Sequence, residues 1–556
     1  MARPVHPEIC DASASDLARR LRSRELSARE VVTAHLERIE QLNPELNAIV
    51  TLTADMALEA AADADERLAR GEPVGPLHGL PIAHKDTHNT AGIRTTHGSP
   101  VLADHVPEHD DISIERMGAA GAITIGKTNV PEFGAGSHTF NPLFGPTRNP
   151  YDTTRSAGGS SGGTAAAVAA GLYPLGDGSD MGGSIRNPAS FCNIVGLRPS
   201  PGRVPLWPDF TPWATQVVQG PLARTVTDTA LLLSVMAGPD PRCPISVDQD
   251  PSVFAAPLDG DVRPLRVAWS PDLGGAVPVE PAVAAAVEAA AEVFTGLGCT
   301  VVPDCPDFSG ADEVFRTLRG WQMATVLGPA LAGHREQVKP SLAANIAFGQ
   351  QLTGADLGRA ELLHGELFHR MREFFTRYDV LVLPVSQLPP FPVEIEYPTE
   401  IAGTAMNDYL DWMKSAYYVS ATGSPALAVP AGFTAEGLPA RCPARRPAPR
   451  RTVPAARRIR LRAGHPPRRA PSGVRNTAAL LGRGRRGPQP VLTAHGAGSG
   501  LGGARGIRPT SRPWSSRSRP IRLGVCIVIV RSLISSAGKA SASCASKWSM
   551  VDRLCR

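Results

Sequence analysis

The sequence predicts an α/β fold with a largely buried sheet. Three observations lead there. Short β-branched runs alternate with helical patterns along most of the chain, which is the order expected of strands packed under helices. Apolar residues make up 42% of 556 positions, enough for a sizeable core in one large domain or several smaller ones. The stretch Arg155 to Pro205 is rich in glycine and serine, as expected of loops that bring backbone close to a ligand.

The elements follow in order. Residues 13–42 read as helices: Ser27 and Glu30 fit a capping box, and Val32, Leu36 and Ile39 then repeat at helical spacing. Asn43-Pro44 is expected to end that segment, since a residue before proline is pushed out of the helical region. Asn47 to Thr53 is β-branched and reads as a strand, and Ala54 to Arg70 as an alanine-rich helix. Leu80 to His84 reads as a strand with Lys85 and Asp86 at or just past its end. Ile112–Ala120 is expected to be helical and Ala122–Ile125 a strand, and a helix starts at Thr164 after the GGSSGG loop. Further on, Val267–Trp269, Cys299–Val302 and Val380–Pro384 read as strands, and Pro281–Leu297 and Gly354–Arg377 as helices. No internal repeat stands out.

Composition bounds the function. No run of 18 apolar residues occurs, and Leu523–Val530 is about half the length a spanning helix needs. The N-terminus, MARPVHPEICDASASD, lacks a signal-peptide core. A soluble, cytoplasmic protein with no membrane partner is expected. The nine cysteines are dispersed without a C-x-x-C pair, so neither a disulfide framework nor a zinc site is implied, and Cys192 reads as a small buried hydrophobe.

Charge splits the chain near Ala440. Residues 441–556 hold 24 Arg and 2 Lys against one acid, or +25, while residues 1–440 hold 31 basic and 51 acidic residues, or −20. With dense proline and arginines that cannot pair, the segment 441–556 is expected to be largely disordered. Twenty-six cations could neutralise phosphates, but the segment has two tryptophans, no tyrosine or phenylalanine and no binding module, so specific nucleic-acid binding is not expected.

The chemistry concentrates in RSAGGSSGGTAAAVAAGLYPLGDGSDMGGSIRNPASFC, with Lys85 upstream in LHGLPIAHKDT. Successive N–H groups from Met181 to Ser184 can converge into an anion-binding concavity. Beside a serine hydroxyl, such a concavity is an oxyanion hole. The hydroxyl needs a base, and a lysine amine serves if burial makes it neutral. Ser160 can relay a proton between Ser184 and Lys85.

GGSSGG, GSDMGGSIRNPASFC and HGLPIAHKD together resemble the amidase signature family over about residues 10–439. The resemblance implies a large mixed β-sheet core covered by helices on both faces. It also implies a catalytic set of Lys85, Ser160 in a cis peptide bond, and the nucleophile Ser184. Oxyanion donors map to Met181, Gly182, Gly183 and Ser184, with Ser161, Asp180 and Arg186 in support. The expected substrate is a small-molecule amide. No metal or organic cofactor is implied. A homodimer is left open, as is the identity of the amide; Phe140, Trp207, Phe210 and Trp213 are weighed as an acyl pocket against ordinary packing.

Rival readings use the same residues. One component of a tRNA-dependent amidotransferase shares the motifs and would need a partner subunit. The G-x-S-x-G elbow fits Ser160 or Ser161, but His364 and His369 lie on one helix with no Asp–His pair after them. His84 and His88 stand four apart like metal ligands but lack a third. Family members continue G-L-P-x-G-x-Q-x-x-G into a strand and a closing helix; here GLP survives and the rest does not. The domain is therefore read as residues 1–440 lacking its last strand and helix. A reading-frame change near Pro439-Ala440 is the expected cause, and an inactive truncated amidase is the corresponding alternative.

Overall fold

The computed structural model describes residues 6–258, 263, 265–433 and 522–530. Its centre is an eight-stranded mixed sheet. The strands that build the two main sheets, in chain order, are β1 (Ile49–Leu52), β2 (Pro81–Lys85), β3 (Ile123–Thr128), β4 (Leu175–Asp180), β5 (Val195–Arg198), β6 (Val218–Ala223), β7 (Arg266–Trp269), β8 (Thr300–Pro303), β9 (Val380–Leu383), β10 (Ala426–Phe433) and β11 (Arg522–Val530). The large sheet runs β8-β7-β9-β11-β10-β5-β6-β4, and a small sheet runs β1-β3-β2. β8, β7 and β9 are parallel, and every later pairing is antiparallel.

Burial follows the pattern of the residues. All four residues of β9, VLVL, are fully buried, as expected of a strand covered on both faces. Helices Arg186–Phe191 and Pro281–Gly296 both pack against β10 and β11. The first capping box is formed: Ser27 Oγ accepts from the Glu30 N–H at 3.1 Å, and Glu30 accepts from the Ser27 N–H at 2.8 Å.

Two expectations are corrected. Asn43-Pro44 does not end the early helix, which runs Ala28–Leu46 with Pro44 in its last turn. Asn43 makes this work. Its side-chain oxygen accepts from Ala48 and Ile49 at 2.9 and 2.8 Å, and Asn47 takes the left-handed conformation that stops the helix. The second correction is the closing strand. The sequence reading leaves the sheet short of one after residue 440, yet β11 occupies the place between β9 and β10, antiparallel to both. Its run Leu-Gly-Val-Cys-Ile-Val-Ile-Val is β-branched and strand-like; the sequence reading weighed it only as a membrane span. The rest of the basic segment, and with it the expectation of disorder, lies outside the described residues.

Among the described residues no helix is long and apolar enough to cross a membrane. They all fall in one compact unit. The long helices Ala311–Leu331 and Pro340–Gln351, and the short Lys414–Ala421, carry no signal the sequence reading used, and they wall the region described next.

Candidate active site

The site lies where the end of β2 meets the end of β4. Lys85 is the last residue of β2, and β4 delivers Asp177, Ser179 and Asp180. Asp177 joins the two strands: its carboxylate accepts from the Lys85 N–H at 3.3 Å and binds His84 Nδ1 at 2.9 Å and His88 Nδ1 at 2.5 Å. Burial alone would raise its pKa, but the two histidines outweigh that and hold the carboxyl well below the usual range. His84 and His88 are thus spent on a buried carboxylate. No group of three or more His, Cys, Asp or Glu placed to hold a metal ion occurs among the described residues.

Lys85 is fully buried and makes no ion pair among the described residues. Its Nζ lies 2.7 Å from Ser160 Oγ and 3.0 Å from Ser179 Oγ. Burial pushes its pKa down to about 7, against the opposing pull of Asp180 and Asp177. Near neutrality a large share of this amine is therefore unprotonated, able to accept a proton from a hydroxyl.

Ser160 and Ser161 sit in the loop before helix Gly162–Ala169, and the Gly159–Ser160 peptide is cis. The loop presses against its surroundings. A Cβ on Gly162 would stand 2.3 Å from Thr139 Oγ1, so only glycine fits. The Ser161 N–H donates to the Ser184 carbonyl at 3.0 Å, which ties the two serine loops together, and Ser161 Oγ reaches the Ser179 carbonyl at 3.4 Å. Ser184 is 8% exposed, against 2% for Ser160 and none for Lys85, so access increases along the series from lysine to Ser184.

The loop from Asp180 to Ser184 is held from below. Asp180 is buried and accepts from Arg186 Nε and Nη2, both at 2.9 Å, and from Arg198 Nη1 at 3.2 Å. Burial raises its pKa, yet the two guanidiniums overcome this and keep it ionised far below the normal carboxylate range. An anchored, doubly paired carboxylate is no general base, so Asp180 orders the loop. Arg186 also donates to the Ala416 carbonyl at 2.9 Å and to Ser420 Oγ at 2.6 Å, which makes it an internal tie.

One expected oxyanion donor is corrected. The Gly183 N–H donates to Asp180 Oδ1 at 2.8 Å and is committed there. The N–H groups of Met181, Gly182 and Ser184 meet no acceptor among the described residues. Gly182 has no room for a side chain: a Cβ would stand 2.5 Å from Phe315 Cζ. That ring is itself stacked on Tyr417 at 4.2 Å between centroids.

Three residues escaped the sequence reading: Ser179, Asp177 and Arg198. The first two lie in GDGSD beside the chosen motif, and their signal was proximity to Asp180. Arg198 follows twelve residues after Arg186, and only folding of β5 beside β10 and β6 brings it to Asp180. The elbow alternative finds no support in geometry: His364 lies 3.8 Å from Glu361 on its own helix, and no hydrogen bond links His364 or His369 to either serine. Of the weighed pocket aromatics, Phe210 and Trp213 are 88% and 74% exposed, and Trp207 carries the Arg242 guanidinium 4.6 Å above its ring. Cys192 is fully buried, with its Sγ on the Ala157 carbonyl.

Known proteins resemble the chain over most of its length. The amidase family profile matches residues 30–440. An acylamidase of Rhodococcus erythropolis is 38% identical over 438 residues, covering 77% of this chain and 90% of its own. A glutamyl-tRNA(Gln) amidotransferase subunit of Synechococcus sp. is 37% identical over 458 residues, covering 77% and 91%. Among solved structures, a bacterial aryl acylamidase of the amidase signature enzymes superposes with a TM-score of 0.72 at 32% identity, covering 78% and 91% of the two chains.

Proposed function

The chain belongs to the amidase signature family, and from that premise we propose that this hydrolase of amide C–N bonds is a stand-alone amidase working through a serine acyl-enzyme. The observation that carries the proposal is Lys85: a buried amine, paired with no carboxylate among the described residues, 2.7 Å from a serine hydroxyl.

In this reading Ser184 Oγ attacks the carbonyl of a small-molecule amide. Its proton passes to Ser160, whose own proton moves to neutral Lys85 Nζ. The developing oxyanion takes the N–H groups of Met181, Gly182 and Ser184; one such donor is typically worth about 3 kcal/mol in the transition state. The C–N bond breaks as the relay returns the proton to the leaving nitrogen. Water then enters by the same relay, attacks the acyl-enzyme and releases the carboxylate and Ser184. Ser161, Asp180 and Arg186 position the two loops, and Arg198 joins them. Each step of this reading uses these side chains, the backbone N–H groups and water.

The test is mass spectrometry after mixing with an activated ester. We expect one acyl group on the peptide that carries Ser184, and none on Ser184→Ala, whose amide turnover is lost. Retained turnover in Ser184→Ala overturns the reading.

A second reading rests on the 37% identity to the amidotransferase component. Glutamine-specific hydrolysis that rises on adding a partner subunit would favour it over the stand-alone amidase. The abrupt change to basic sequence after residue 440 we ascribe to a reading-frame change near Pro439-Ala440. Resequencing codons 430–450 tests this, and an intact frame overturns it.

A further inference from the structure

Four buried or half-buried arginines stand around the serine loops, and three of them meet a carboxylate. Arg186 and Arg198 share Asp180. Arg316, on helix Ala311–Leu331, meets Asp312, Asp408 and Asp411 at 3.2, 2.7 and 2.8 Å. Arg319 stands one turn further along that helix, is 4% exposed and meets no carboxylate among the described residues. Its Nη1 turns to Met181 Sδ at 2.9 Å, a weak acceptor, and its Nη2 donates to Tyr409 Oη at 2.8 Å. Its Nε–H has no partner among the described residues. A buried guanidinium left this way is costly to the fold unless an anion completes it.

A second cation also approaches Tyr409. Lys339 Nζ lies 5.8 Å from the Tyr409 ring centre and 5.4 Å from that of Phe140, and it donates to the Ala135 carbonyl. The charges of Glu396 and Glu132 reach it, but neither carboxylate pairs directly with its Nζ among the described residues: Glu132 accepts from Ser99 Oγ and from the Lys339 N–H, and Glu396 accepts from Ser341 Oγ. The arc Arg319–Tyr409–Lys339 therefore spans the two serine loops. At one end it touches Met181, which begins the oxyanion loop. At the other it touches Ala135, whose neighbour Gly134 backs Ser160, since a Cβ there would lie 3.5 Å from Ser160 Oγ.

We propose that Arg319, aided by Lys339 and Tyr409, binds a carboxylate carried by the amide substrate, so that the enzyme prefers acidic amides such as monoamides of dicarboxylic acids or carboxylated anilides. This rests on the amidase reading above. The planar guanidinium offers paired N–H donors that match a carboxylate, and the low-dielectric wall strengthens the contact.

The test uses matched substrates with the wild-type enzyme: butyryl against succinyl 4-nitroanilide, valeryl against glutaryl 4-nitroanilide, and acetyl 4-toluidide against N-acetyl-4-aminobenzoate. At least one carboxylated member is expected to show a kcat/KM tenfold or more above its neutral match, mainly through KM. In Arg319→Met that ratio is expected to fall at least tenfold, and in Arg319→Lys to recover in part. Hydrolysis of the neutral members with no preference for any carboxylated one overturns this proposal alone, as does a ratio unchanged in Arg319→Met. If Arg319→Met does not fold, the wild-type ratios decide. No hydrolysis in any pair overturns the amidase reading and this proposal with it.

Discussion

Replacing Lys85 by methionine separates what the residue does for catalysis from what it costs the fold. Its pKa is about 7 in the folded chain against an ordinary value of 10.5. Between those values the unfolded chain binds more protons than the folded one, so this residue makes stability rise with pH across that window. The penalty is fully present below pH 7 and gone above 10.5. Worked through, it is about 4 kcal/mol at pH 7 and about 2 kcal/mol at pH 9. Methionine fills a similar volume and carries no charge. The contacts to Ser160 and Ser179 are also lost, but that loss does not follow the same titration. The other buried lysines, Lys127 and Lys339, each pushed down to about 8, are common to both proteins and cancel in the comparison. The stability of Lys85→Met relative to wild type should therefore drop by about 2 kcal/mol between pH 7 and pH 9. Urea unfolding of both proteins at pH 7, 8 and 9 measures this, while amide turnover in the variant should be close to nil. A difference that stays flat with pH, or grows, refutes the reasoning that Lys85 is a buried and largely unpaired amine.

Other perturbations follow from the same geometry. In the wild type, kcat/KM should rise with pH through an apparent pKa of about 7, because the relay needs neutral Lys85; a pH–rate profile without that acid limb contradicts the assignment. Gly182→Ala forces a methyl against the Phe315–Tyr417 stack, and kcat should fall about 10²- to 10³-fold with little change in KM, as loss of one oxyanion donor does. Adding Phe315→Leu should restore part of it in steady-state assays. Asp180→Asn leaves Arg186 and Arg198 buried without their shared carboxylate and should cost roughly 3–5 kcal/mol in a urea melt.

Much of the site was legible because its chemistry is local. The glycine-flanked serines, the DMGGS run and the lysine ending an apolar strand are each readable within a few residues. The helices Pro281–Gly296 and Gly354–Arg377 were equally plain, since a capping residue or proline opens each and apolar spacing carries each through. Pro44 shows where local rules give way. The residue before proline disfavours a helix, but one asparagine side chain supplied the missing partners and let the turn continue.

What the sequence by itself determined is the set of reacting groups: a lysine, two serine loops and a run of backbone amides, because these depend on residue identity and short spacing. Tertiary structure decided their state. Lys85 has a lowered pKa only because β2 and β4 meet around it and exclude water. Gly183 leaves the donor set only because Asp180 folds back onto its N–H. Arg198 and Arg319 come to the site from strands and helices far along the chain; one finds a carboxylate and the other does not. β11 enters the sheet from beyond residue 520, a pairing no local pattern could assign. Charge, solvation and hydrogen-bond satisfaction depend on everything that packs around a group, and that neighbourhood exists only once the chain has folded.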